Sequence, residues 1–136
     1  MQEWNSIPDL SPAALGAIDG TSTSTREKLK RYAEIYADVL RKNRMCLCGM
    51  LAAEYATLPK PMKDEMIHFF DENERWLTAV LKQGQKAGEL KFSGPAHEVA
   101  RALVGSLEGA MMLARSFSEV SRFDAAANRS LAELFR

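Results

Sequence analysis

No run of about 18 apolar residues occurs in this chain, so nothing in it reads as a membrane span. The opening stretch, MQEWNSIPDLSPAALGAIDG, lacks a basic start followed by a continuous apolar core and does not read as a signal peptide. Neither sign of charge is in excess, since 18 Lys plus Arg balance 18 Asp plus Glu. Nucleic-acid modules usually carry a basic surplus, so this balance argues against a broad phosphate-binding surface, though not against a local basic patch. Cysteine is scarce, two residues in 136, and without export features both are expected to be reduced thiols in the cytoplasm. Sustained period-two alternation is absent too, so no half-buried strand is predicted.

What is present is helical punctuation. With 46% hydrophobic and 26% charged residues, the chain has the profile of one globular domain. Residues 1–25 mix Pro, Ser, Thr, Gly and Asp and read as loop, with one short helix in SPAALGAI. Ser24 stands three residues before Glu27, a capping-box spacing, and Leu29, Tyr32, Tyr36, Val39 and Leu40 follow at helical intervals. A second main helix is expected from Met45 to Thr57, stopped by Leu58-Pro59. Pro61 sits in the first turn of a third, which carries a wide stripe of Met62, Met66, Phe69, Phe70, Trp76, Leu77, Val80 and Leu81. Gly88 can take the left-handed cap there, with Leu90 folding back onto the last turn. Pro95 opens a fourth helix through Phe117, and Ser121 with Asp124 is expected to start the fifth, carrying Phe123, Ala127, Leu131, Leu134 and Phe135. The predicted architecture is all-α, with five main helices over residues 26–136.

At about 100° per residue, the fourth helix has two faces. Val99, Leu103, Leu107, Ala110, Ala114 and Phe117 fall on one. Gly105, Gly109, Met112 and Ser116 fall on the other, flanked by Arg101 and Glu108. Helical glycine costs about 0.5–1 kcal/mol relative to alanine, so a pair four apart implies a closely approaching helix. That helix is either the fifth or one from a second copy.

Sites of chemistry are few. In the segment RMCLCGMLAAEYATLPKPM, Cys46 and Cys48 would point roughly 200° apart on a helix and cannot share one metal or close a disulfide. They read as small packing thiols, with redox sensing the alternative. Glu65 and His68 have the Glu-x-x-His spacing of di-iron bundles, but His97 has no glutamate three residues before it, so no metal site or cofactor is expected. No phosphate loop or nucleophile elbow is visible, and no enzymatic activity is expected. Seven Met, six Phe and two Trp make an adaptable interior. Tyr36, Met50, Phe69, Asn73, Leu107 and Met111 lie on helices able to surround a cavity, although each also reads as ordinary core. Asn73 interrupts an apolar stripe, and a buried amide there needs a partner: a ligand, a water or a neighbouring side chain.

The ordered set RMCLCGMLAAEYATLPKPM, FFDENERWLTAVLKQGQKAGEL and ARALVGSLEGAMMLAR resembles the C-terminal ligand-binding and dimerisation region of TetR/AcrR-type transcriptional regulators over about residues 26–135. The resemblance implies a homodimeric, cytoplasmic regulatory domain, part of a repressor, that senses a small apolar or amphipathic effector. It implies a pocket between the helices starting at Ser24, Met45, Pro61 and Pro95. It also implies a four-helix interface built from Gly105, Gly109, Met112 and Ser116 with Phe123 and Leu131 of the last helix. Cys46, Cys48, Gly49, Ala52 and Ala53 then become packing residues. The family's helix-turn-helix is not found in residues 1–25, where AALGAIDG reads as the tail of a linker helix, so these 136 residues are expected not to bind operator DNA. The alternative is a dimeric helical interaction module without a small-molecule ligand.

Overall fold

The structure, a computed structural model, describes residues 11–21, 24–42 and 54–135. Five α-helices lie among them: α1 (Pro12–Thr21), α2 (Thr25–Arg41), α3 (Lys60–Ala87), α4 (Ala96–Phe117) and α5 (Val120–Ala132). A 3-10 turn covers Tyr55–Thr57. Of the span expected as a helix from Met45 to Thr57, that turn falls among the described residues, and the part with Cys46, Cys48 and Met50 lies outside them.

Local chemistry accounts for most boundaries. Ser11 starts α1, its Oγ accepting from the Ala14 N–H at 3.2 Å. Ser24 caps α2 through the Glu27 N–H at 3.0 Å, as the spacing predicts. Pro59 and Pro95 precede α3 and α4 as extended residues, so neither ring meets a preceding helical turn. Helix α3 ends on Gly88 at φ 77°, and the Gly84 carbonyl accepts from the Glu89 and Leu90 N–H groups at 2.8 and 3.0 Å.

Two expectations are corrected. Helix α5 begins at Val120, with Glu119 as its N-cap, because Ser118 turns left-handed at φ 54° and reverses the chain before Ser121. Phe117 is not on the buried face of α4: it is 54% exposed, with the Arg122 guanidinium 3.6 Å over its ring. The buried stripe of α4 is Ala96, Ala100, Leu103, Val104, Leu107, Met111 and Ala114.

Helix α3, about 42 Å long at 1.5 Å per residue, and α5 flank α4, and α2 lies across all three. Leu29, Tyr32, Tyr36, Leu77, Leu81, Leu107, Met111 and Phe123 are fully buried at the centre. Each such apolar side chain contributes about 1.5–3 kcal/mol by leaving water. Helix α1 adds only Leu15 and Ile18 to the core.

A second junction ties three parts of the chain together at one corner. The Glu89 carboxylate accepts from the Thr25 N–H at 2.8 Å and the Thr25 hydroxyl at 2.7 Å, adding an anion to the N-terminus of α2. These donors, with the Arg26 N–H, hold the Glu89 carboxyl below its usual pKa. Leu90 forms an isolated antiparallel bridge with Phe135, and the Lys91 N–H donates to the Leu134 carbonyl at 2.8 Å. The Phe135 ring lies 4.5 Å beneath the Arg26 guanidinium.

Candidate functional site

An apolar interior makes any buried polar group conspicuous, because it must find a partner or forfeit about 1–3 kcal/mol. Here several such groups find one another. The Tyr32 hydroxyl donates to Asn73 Oδ1 at 2.8 Å, and Asn73 Nδ2 donates to the Phe69 carbonyl at 2.9 Å. The Tyr36 hydroxyl donates to Glu108 Oε2 at 3.0 Å, and the two tyrosine oxygens stand 3.3 Å apart. A continuous chain, Asn73–Tyr32–Tyr36–Glu108, therefore crosses from α3 through α2 to α4. Among the described residues no buried side-chain N or O lacks a partner.

Aromatic rings frame the chain. Tyr32 meets Tyr36 edge-on at 5.5 Å and stacks on Trp76 at 5.5 Å, while Tyr36 stacks on Phe123 at 5.9 Å. The i, i+4 spacing of Tyr32 and Tyr36 on α2 puts both rings on one face and both hydroxyls at similar depth. Their partners come from α3 and α4, 41 and 72 residues away.

Of the residues expected around a cavity, Tyr36 and Asn73 belong to this chain, and Leu107 and Met111 are fully buried on α4. Phe69 is half-buried, edge-on to Phe70 at 5.2 Å. The partner of Asn73 is a neighbouring side chain together with a backbone carbonyl. Tyr32 and Glu108 are members that sequence reasoning did not single out. The tyrosine pair itself was the available signal, since two buried hydroxyls at i, i+4 require acceptors.

The residues expected at a subunit interface divide. Gly105, Met112 and Ser116 are exposed and Gly109 half-buried, on the outward side of α4. A Cβ placed on Gly105 or Gly109 would meet nothing within 4 Å, so α5 is not the helix that needs these glycines. Phe123 and Leu131 instead face inward, 1% and 3% exposed, because α5 covers α2 and α4 with its 123/127/131 stripe. Beside the glycine face, Ala110, Leu113, Arg122, Ala125, Ala126 and Arg129 line an open groove of about 580 Å³ between α4 and α5.

His68 is paired with Glu72 at 3.2 Å, and the described residues hold no cluster of three His, Cys, Asp or Glu able to bind a metal ion. Nor is any described helix long and apolar enough to cross a membrane.

The polar side chains Asn73, Tyr32, Tyr36 and Glu108 are joined to one another across three helices of an all-α fold. Residues 25–129 match the family described as "Tetracyclin repressor-like, C-terminal domain", and the chain belongs to that family. Its fold is similar to that of a TetR-family transcriptional regulator from Agrobacterium tumefaciens, with TM-score 0.88 and 26% identity, covering 91% of this chain and 66% of that one. It is similar also to a TetR transcriptional regulator from Legionella pneumophila, with TM-score 0.80, 21% identity and coverage of 97% and 69%. The reduced form of E. coli NemR aligns with TM-score 0.76 and 20% identity over 90% of this chain and 66% of NemR. The chain thus spans a little under two thirds of the length of the Agrobacterium regulator. A search of curated proteins finds no match.

Proposed function

We propose that this chain is the effector-sensing and dimerising part of a TetR-type transcriptional regulator, binding a small apolar or amphipathic molecule rather than transforming it. The observation that carries the reading is the Asn73–Tyr32–Tyr36–Glu108 chain, a few convergent polar groups inside a wall of Leu107, Met111, Phe69 and aromatic rings. Apolar lining with few polar groups is the composition of small-molecule sites: the lining supplies affinity and the polar groups set orientation. The outward glycines of α4 and the adjoining groove would seat the same surface of a second copy, an isologous two-fold contact. Contact with DNA would come through a helix-turn-helix reader joined at α1, and the working compartment is the cytoplasm.

Thermal denaturation against a panel of neutral and charged amphipathic compounds tests this. A ligand present at about 100 times its Kd should stabilise the native state by roughly 2.7 kcal/mol. Tyr36→Phe should weaken the response to the same compound. A panel that never raises Tm, with a dimer persisting in sedimentation, would favour the interaction module without an effector.

A further inference from the structure

Helix α1 is held to the bundle by few groups, and one of them touches two helices at once. Asp19, at the C-terminal end of α1, accepts from Trp76 Nε1–H of α3 through Oδ2 at 3.0 Å. Its other oxygen, Oδ1, is 3.1 Å from the Lys28 ammonium of α2, whose side chain is only 12% exposed. A single carboxylate therefore spans the seam between α2 and α3. The position of that seam is set deeper in the core by the Tyr32–Asn73 hydrogen bond, which joins the same two helices.

Tyr32 connects the two levels. Its hydroxyl belongs to the buried chain, and its ring stacks on Trp76 at 26° between planes. Displacement of the Tyr32 ring is opposed on that side by the indole. The indole N–H must then follow Asp19 or lose its acceptor. We propose that the Trp76–Asp19 contact is the joint through which the state of the Tyr32–Tyr36–Glu108 chain sets the position of α1. Trp76 and Asp19 are positioning residues, and Lys28 fixes the opposite oxygen so that Asp19 reports the α2–α3 seam rather than α3 alone. The biological meaning rests on the effector reading of the chain and on α1 as the joining helix. The mechanical coupling itself does not require an effector.

Amide hydrogen exchange by mass spectrometry on the whole chain tests the joint, with α1 as reporter and the α4–α5 peptides as internal reference. Tyr32→Phe keeps the stacked ring and removes the hydroxyl; Tyr36→Phe is a second variant that removes the Glu108 hydrogen bond and the hydroxyl contact with Tyr32 while leaving Tyr32–Asn73 in place. Each should speed exchange in α1 about fivefold relative to α4–α5, the effect of one lost buried hydrogen bond. In a Trp76→Phe background, where the N–H to Asp19 is gone, the same substitutions should no longer change α1. Equal acceleration of α1 in both backgrounds would overturn the proposal, as would acceleration no greater than in α4–α5. A failed effector titration leaves this result standing, so the two readings fail separately.

Discussion

Replacing Gly84 by alanine sets two effects of opposite sign against each other. In a helix interior the exchange normally stabilises by about 1 kcal/mol, because alanine loses less backbone freedom. At this position a Cβ would lie 2.6 Å from Thr25 Oγ1 and closer still to the Leu90 side chain. Neither neighbour can yield cheaply. Leu90 is 1% exposed and pinned by its bridge to Phe135, and Thr25 Oγ1 is committed to Glu89. Overpacking of this kind costs about 1–3 kcal/mol, and a displaced Thr25 would add the loss of one hydrogen bond, about 1 kcal/mol. The net expectation is destabilisation by about 1–3 kcal/mol. At roughly 3–4 °C per kcal/mol for a domain of this size, calorimetry should record a fall of roughly 3–12 °C in Tm. Gly16, with nothing within 4 Å of its Cβ position on α1, is the control and should show the ordinary stabilisation. A Gly84→Ala protein melting at or above the wild type would refute the close-approach argument.

Three further outcomes follow from the same contacts. The Glu89 carboxyl is held below its usual value by the Thr25 hydroxyl and the Thr25 N–H, so its stabilisation is present above the unfolded pKa and lost as pH falls through the folded one; Glu89→Gln should flatten the acid-side decline of Tm below about pH 4.5, and an unchanged slope would remove the carboxylate from the account. Asn73→Leu keeps the branched outline of the side chain but removes the acceptor of the Tyr32 hydroxyl, with an expected cost of about 1–3 kcal/mol in urea unfolding; an unaltered midpoint would mean that another acceptor, such as the Tyr36 oxygen, replaces it. Gly105→Leu with Gly109→Leu should shift the protein toward monomer in sedimentation, since both Cβ positions face open space within one chain, and an intact dimer would place the interface elsewhere.

Which of these features could be read in advance follows from how local their causes are. Ser24, Pro61, Gly88 and Pro95 act within one turn of their own position, so they mark α2, α3 and α4 without knowledge of the rest. Ser121 and Asp124 carry a capping spacing too, but the left-handed turn at Ser118 starts α5 earlier. The orientation of α4 was harder. Phe117 fits an apolar stripe by angle, yet it falls in the helix's last turn, where Arg122 rather than the core meets it. Phe123 and Leu131 are apolar whether they face a second copy or their own core, and only the placement of α5 decides. For the buried chain, Tyr36 and Asn73 were visible as candidates, but nothing near Glu108 in the sequence reveals a tyrosine 72 residues earlier. The role of Gly84 is hidden for the same reason: the close neighbour is Leu90, brought back by the turn at Gly88.

The corner where Glu89, Leu90, Thr25 and Phe135 meet also has a consequence for the order of synthesis. The Glu89–Thr25 contact closes a separation of 64 residues, and the Leu90–Phe135 bridge needs a residue made only after α4 and α5. Long-range closures form late because the loop entropy must be lost before any contact compensates it. As the chain leaves the ribosome, α2 and α3 can pair while this corner still lacks one wall. A tag or reporter fused directly after Arg136 would begin at that wall, and a spacer would keep it clear of Leu134 and Phe135.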